Sequence, residues 1–197
     1  ESYINNDFET DDLPALIELC AKNINITYIF SGLFIIPFIK RFLNNNFFSN
    51  TKQRSKKNIT SHYDLGNEFF SKWLDQSLTY SCGIFNTSNE SLEKAQINKY
   101  NKLIDLIKPK KGDNILEIGC GWGGFAEQLA KNYEIKLDCI TISKKQFEFT
   151  KEKIRRQGLN KKVNVYMLDY RDLTKQYDSI VSIEMIEAVG EKYLNQY

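Results

Sequence analysis

Residues 117–124 read Glu-Ile-Gly-Cys-Gly-Trp-Gly-Gly, and the chemistry of the chain concentrates there. Gly119, Gly121, Gly123 and Gly124 let the backbone bend sharply and approach a ligand with no Cβ in the way. The spacing G-x-G-x-G differs from the dinucleotide fingerprint G-x-G-x-x-G, and the lysine of a phosphate loop is missing, so the ligand need not carry a pyrophosphate. Glu117, just ahead of the glycines, can face a cationic or amine-bearing ligand. A nucleoside with a sulfonium and an amino-acid tail suits such a turn. The bland alternative is an ordinary strand-to-helix turn. The preceding strand, the carboxylate and the alternation described below favour the ligand site.

Other candidates are weaker taken singly. Gln146 can donate to and accept from hydroxyls, or be a polar residue on a helix surface. Asp169 can accept from an exocyclic amine, or cap a turn. Glu184 and Glu187 stand three apart, so at helical spacing they share a face; the residues alone do not choose between them, and a solvated pair is the alternative. Tyr80 and Trp122 are by type packing residues, and Cys82 reads as a small buried hydrophobe. His62, the one histidine, reads as structural. Cys20, Cys82, Cys120 and Cys139 form no CxxC pair, so no zinc constellation is expected. Scattered single cysteines fit a reducing, cytoplasmic setting.

The elements that must position these residues follow from the apolar pattern. Buried strands are expected at 114–120, 136–143, 162–168 and 177–185, with helices at 124–133 and 145–158 between them. Strands alternating with helices imply βαβ units and a parallel sheet, with ligands at the carboxyl ends of its strands.

Ahead of this pattern the character changes. Residues 19–63 hold seven basic side chains, four of them Lys52, Arg54, Lys56 and Lys57, and no acid. Against a total net charge of +2, that leaves −5 for the rest. The total does not indicate a nucleic-acid binder. An apolar run from Ile24 to Leu43, broken by Ser31, Gly32 and Pro37, is short for a spanning helix. It reads as a helix lying on a membrane surface or in a protein groove, or as a core helix before a solvated basic loop. Residues 44–61 read as a linker. The expected domains are therefore 1–60, the end of an N-terminal region, and 61–197.

Several segments together resemble one family. Residues 116–124, LEIGCGWGG, look like motif I of class I S-adenosylmethionine (SAM) methyltransferases. Residues 61–85, SHYDLGNEFFSKWLDQSLTYSCGIF, with TISKKQ at 141–146 and DSIVSIEMIEAVG at 178–190, resemble the cyclopropane-fatty-acyl-phospholipid and mycolic acid cyclopropane synthases. The resemblance implies an α/β, Rossmann-like fold whose parallel sheet stops after about four strands, preceded by a helical N-terminal segment and incomplete at its C-terminal end. It implies that Tyr80 and Ser81 contact SAM and that Glu117, Gly119, Gly121 and Gly123 cradle its methionine part. Thr141, Ser143 and Gln146 belong to the loop where Gln146 takes the ribose hydroxyls, and Asp169 and Tyr170 form the adenine side. Cys82 and, of the two glutamates, Glu187 are implied to hold a catalytic bicarbonate. The implied reaction forms a cyclopropane ring on the cis double bond of an unsaturated phospholipid acyl chain. The implied setting is cytoplasmic, peripheral to the inner face of an anionic membrane, with a homodimer compatible with it.

Overall fold

The computed structural model describes residues 7, 9–23, 66–190, 193–195 and 197. The chain divides into two compact units, Glu1–Ser49 and Asn50–Tyr197. In the first, α1 spans Leu13–Lys22, with the Asp12 carboxylate accepting from the Ala15 N–H at 2.9 Å at its start. The apolar run from Ile24 to Leu43, the linker, the 60/61 boundary, the basic cluster and His62 lie outside the described residues. Among the described residues no helix is long and apolar enough to cross a membrane.

The second unit runs α2 (Gly66–Ser71), α3 (Leu92–Ile107), β1 (Asn114–Ile118), α4 (Gly124–Asn132), β2 (Lys136–Thr141), α5 (Lys144–Arg156), β3 (Val163–Met167), a 3₁₀ turn (Tyr170–Asp172), β4 (Ser179–Ser182) and α6 (Ile186–Val189). All strand pairs are parallel, in the order β3-β2-β1-β4. The chain builds outward from β1 to β3, then returns to the other side of β1. The switch point between β1 and β4 is where such sheets open a crevice at their carboxyl ends.

Alternation along the strands makes two cores. On one face Ile115, Leu137, Cys139 and Val163 pack with Tyr100 and Ile104 of α3, Phe125 and Leu129 of α4 and Ile154 of α5. On the other, Leu116, Ile118 and Ile140 pack under Leu168, Leu173, Tyr177 and Met185. Ile115, Leu129 and Leu137 are wholly buried, each worth about 1.5–3 kcal/mol of hydrophobic stabilisation. Ser91 starts α3 by accepting from the Lys94 N–H, and Ser143 starts α5 by accepting from the Gln146 N–H, both standard ways to satisfy first-turn donors.

The expected strands and helices are present with trimmed ends. The largest trim is in the fourth strand, which stops at Ser182. Beyond it Glu184 takes a left-handed conformation, φ 49°, which ends a pleated strand, and Met185 leads into α6. Helix α3 lies outside the strand–helix alternation that the apolar pattern announces, and no strong glycine or proline punctuation marks its start. It is nonetheless the element that underlies one side of the site.

Candidate functional site

The glycine turn joins β1 to α4 at the switch point. Gly119, Gly121 and Gly123 all have positive φ, 77°, 53° and 77°. Two glycines are demanded for different reasons. At Gly124 a Cβ would collide with the Tyr100 hydroxyl oxygen, so α4 packs against α3 only without a side chain there. At Gly121 an added Cβ would meet nothing within 4 Å. Gly121 therefore keeps open space beside the backbone.

That space is a two-lobed cavity. The larger lobe, about 420 Å³, is bounded by the glycine turn, Tyr80, Ser81, Glu117 and Glu187 among others. The smaller, about 280 Å³, is bounded by Thr141, Asp169, Tyr170 and Arg171 among others. Gly119, Gly121, Gln146, Ile183, Glu184 and Ala188 line both.

Glu117 sits at the floor of the larger lobe, 3% exposed. It pairs across the sheet with Cys139, whose thiol donates to its carboxylate at 3.4 Å. Burial pushes its carboxyl up to about 8, against weaker opposing effects from the Cys139 bond and the charge of Lys153. A carboxyl held neutral by burial becomes an anion readily when a cation arrives beside it.

Gln146 is 5% exposed. Its Oε1 accepts from the Thr141 hydroxyl at 2.9 Å, which fixes the amide and leaves the Nε2 end for the cavity. Ser143 caps α5 and lines neither lobe, so its part is to orient Gln146. Asp169 both lines the smaller lobe and caps the 3₁₀ turn. Its carboxylate is gripped by the Arg171 guanidinium at 2.8 and 2.7 Å. The guanidinium also lies over the Tyr170 ring, 5.4 Å from its centroid, making a flat, charged wall.

Tyr80 and Ser81 come from the extended segment after α2. Tyr80 packs edge-on against Phe70 and Trp73, centroids 5.6 and 5.7 Å apart. Trp122 is buried, 3% exposed, and donates to the Asn67 side chain at 2.8 Å; it is packing, as its type suggests, as well as part of the larger lobe's wall. Helix α3 supports the segment from below. Gln96 donates to the Ser81 carbonyl at 2.8 Å, Lys99 to the Ser81 hydroxyl at 2.5 Å, and the Tyr100 and Thr79 hydroxyls bond at 2.6 Å. Burial pushes the Lys99 ammonium down, and the charges of Glu184 and Cys82 work the other way.

Of the candidates, Tyr80, Ser81, Glu117, Gly119, Gly121, Gln146 and Glu187 meet at the larger lobe, and Thr141, Asp169 and Tyr170 at the smaller. Gly123, Ser143 and Cys82 line neither. Cys82 is exposed, not the buried small hydrophobe that its type suggests, because it lies in the irregular segment at the rim, where its backbone N–H donates to Glu184 Oε1 at 2.8 Å. Both glutamates line the larger lobe; they differ in that Glu184 accepts from the Cys82 N–H and also lines the smaller lobe, whereas Glu187 stands at the start of α6. Gln96, Lys99 and Tyr100 join the site without any motif in the sequence to mark them. A helical repeat of apolar residues through Ala95, Tyr100 and Ile104 is the available signal.

A parallel sheet in the order β3-β2-β1-β4, with a glycine turn after β1 and a cavity at the switch point, is a doubly wound α/β fold, and its likeness to solved cyclopropane synthases makes it the class I methyltransferase fold. The family model of mycolic acid cyclopropane synthetase matches residues 50–197, and the chain belongs to that family. A probable fatty acid methyltransferase of Pseudomonas putida is 38% identical over 151 residues, 76% of this chain and 38% of that protein. The cyclopropane-fatty-acyl-phospholipid synthase of Escherichia coli K12 is 42% identical over 136 residues, 69% of this chain and 34% of that protein. Among solved structures, mycolic acid cyclopropane synthase CmaA1 complexed with SAH and CTAB superposes with a TM-score of 0.67 at 28% identity, covering 70% of this chain and 48% of that one. The chain thus spans about a third to a half of the length of these relatives.

Proposed function

We propose that the whole protein is a SAM-dependent transferase that converts the cis double bond of an unsaturated phospholipid acyl chain into a cyclopropane ring. The observation that carries this reading is the two-lobed cavity at the sheet switch point, floored by a buried glutamate, in a chain of the cyclopropane synthetase family. The similar synthase CmaA1 was solved in complex with SAH, which supports SAM as the methyl source.

The residues present fit that ligand. Glu117 would balance the cationic amino-acid end as its neutral carboxyl gives up a proton. Gln146, held by Thr141, would offer its free amide end to the ribose hydroxyls. The wall of Asp169, Tyr170 and Arg171 would take the adenine, and Tyr80 and Ser81 would close the larger lobe. The bound group supplies an electrophilic methyl, which a weakly nucleophilic double bond needs.

Methyl transfer would form a carbon–carbon bond from the π electrons of the double bond as the sulfur–methyl bond breaks and S-adenosylhomocysteine leaves, and it would put positive charge on the acyl chain. Loss of a proton from the new methyl group then closes the ring, the C–H electrons becoming the third ring bond. Water must be kept out, since it would trap the cation. Bicarbonate is the proposed proton acceptor, with Glu187 holding its hydroxyl and Cys82, which lines neither lobe, approaching it from the rim. Contact of residues 24–57 with an anionic membrane would bring the enzyme to the inner leaflet, where its substrate resides.

A second reading is methyl addition to the chain without ring closure, favoured by the likeness to the probable fatty acid methyltransferase of Pseudomonas putida. Product analysis after incubating the whole protein with SAM and unsaturated phospholipid vesicles separates the two. Cyclopropanation predicts acyl chains heavier by one CH₂ that resist ozonolysis. Ozone-cleavable methylene-branched products, formed when the cation loses a proton from a carbon without closing the ring, would support the second reading, and no methyl incorporation would reject both.

A further inference from the structure

Glu184 is the least expected residue at the site. It is one of three non-glycine residues with positive φ among those described, at 49°. The left-handed region is uncommon for a residue with a long side chain and is strained unless its surroundings hold it. The strain accompanies a specific contact: Glu184 Oε1 accepts from the Cys82 N–H at 2.8 Å, across a sequence separation of 102 residues. Glu184 also lines both lobes of the cavity.

The segment it grips has no regular secondary structure of its own. From one side α3 holds Thr79 and Ser81 through Gln96, Lys99 and Tyr100. Helix α3 takes hold again at Ile84, whose N–H donates to the Ala95 carbonyl at 3.0 Å and whose carbonyl accepts from Asn98 at 3.1 Å, and between Ser81 and Ile84 it is Glu184, from the β4 turn, that anchors Cys82. The buried Lys99 ammonium and the Glu184 carboxylate attract through this segment, each acting on the other's side of it. The Glu184 carboxylate also raises the Cys82 thiol above its ordinary range, chiefly through side-chain hydrogen bonding with the thiol itself, in addition to the bond it accepts from the backbone N–H.

We propose that Glu184 is a positioning residue that clamps the Tyr80–Cys82 segment over the cavity, its left-handed backbone aiming the carboxylate at the Cys82 N–H. The clamp rests on the reading of the cavity as a SAM site. It acts by keeping the segment in the shape that closes the larger lobe. When it is lost, only a fraction of molecules hold that shape and apparent affinity falls by that fraction.

The test uses the whole protein with three variants. Glu184→Gln keeps an acceptor for the Cys82 N–H. Glu184→Gly removes the acceptor but suits the left-handed backbone, and Glu184→Ala removes it and leaves the backbone strained. Calorimetry with S-adenosylhomocysteine should give the Gln variant an affinity within about twofold of wild type. The Gly and Ala variants should both bind roughly fivefold to tenfold more weakly, the loss of one charge-assisted hydrogen bond partly offset by the α3 contacts. Their melting temperatures should nonetheless differ, Gly above Ala, because only Gly accepts the positive φ without strain. Iodoacetamide labelling at Cys82, followed by peptide mass spectrometry at fixed pH, should be about threefold faster in the Gln variant, because removing the negative charge favours the thiolate.

A Gly variant that binds within twofold of wild type would overturn the clamp. So would a Gln variant as weak as Gly, or affinities that simply follow melting temperature. A wild-type protein that binds no S-adenosylhomocysteine would defeat the proposed function instead. In that case the labelling rate at Cys82, which needs no ligand, still decides whether Glu184 grips that residue: an unchanged rate in the Gln variant would overturn the clamp.

Discussion

Replacing Glu117 by Gln should make the protein less sensitive to pH and more stable in neutral and mildly alkaline solution. The side chain is 3% exposed and its carboxyl is raised from 4.5 to about 8 by burial. A folded-state value above the unfolded one means that the folded protein holds this proton more tightly. Stability from this group is therefore full below about pH 4.5 and is lost as pH rises towards 8. Each pH unit inside that window costs about 1.4 kcal/mol, so the loss by pH 7 is on the order of 3 kcal/mol. Glu127 and Asp138 are lowered instead, so they act below the window. His62 is common to both proteins and cancels in the comparison. Urea denaturation at pH 5, 6, 7 and 8 measures the difference between Glu117→Gln and wild type. That difference should grow with pH in favour of the variant. The same linkage predicts that SAM binding to wild type tightens over this range and releases a proton, visible as a dependence of the heat on buffer ionisation. A variant-minus-wild-type difference that stays flat from pH 5 to 8 would refute a neutral buried Glu117.

Two further outcomes are expected of the whole protein. Glu187→Gln should lower turnover by at least tenfold, as for loss of a group acting on proton transfer, while SAM affinity changes less than threefold; wild-type turnover in that variant would remove Glu187 from the bicarbonate site. Binding to anionic vesicles should weaken with salt and fall further when Lys52, Arg54, Lys56 and Lys57 are replaced by Gln, each basic residue contributing about 1 kcal/mol near the surface. Co-sedimentation that is equal on neutral and anionic vesicles would reject that electrostatic contact.

The parallel sheet is legible in the sequence because short apolar segments alternate with helical stretches; β1 and β2 are buried along almost their whole length, whereas β3 and β4 are buried at one position each. The glycine turn is legible because its conformations need glycine. The strand order is not, since nothing in the run at Ser179–Ser182 says on which side of β1 it pairs. The buried carboxyl of Glu117 is legible from its place just ahead of the glycines, whereas Gln146 alone reads as a helix-surface residue and is singled out only by the resemblance, although it is buried. The site is obscure where a neighbour decides. The spacing of Glu184 and Glu187 suggests a shared helical face, yet Glu184 lies before α6 with φ 49° and reaches Cys82 instead. Lys99 and Gln96 are hidden for the same reason: their importance depends on a loop 15 to 18 residues earlier that only the folded chain brings to them. Asp169 caps the turn, as one of its two sequence readings has it, and also lines the smaller lobe.

The central claim is that the cavity beside the glycine turn binds SAM, and Gly121→Val addresses it most directly. The substitution puts a branched side chain into space that is open in the native protein, at φ 53°. Backbone strain of roughly 1–2 kcal/mol is expected from the left-handed conformation, which a folded domain of ordinary stability survives. Calorimetric titration with SAM, alongside circular dichroism to confirm the fold, should show one site in the wild-type protein and an affinity at least tenfold weaker in a folded Gly121→Val. Equal affinity in the two proteins, or no binding by wild type, would contradict the account.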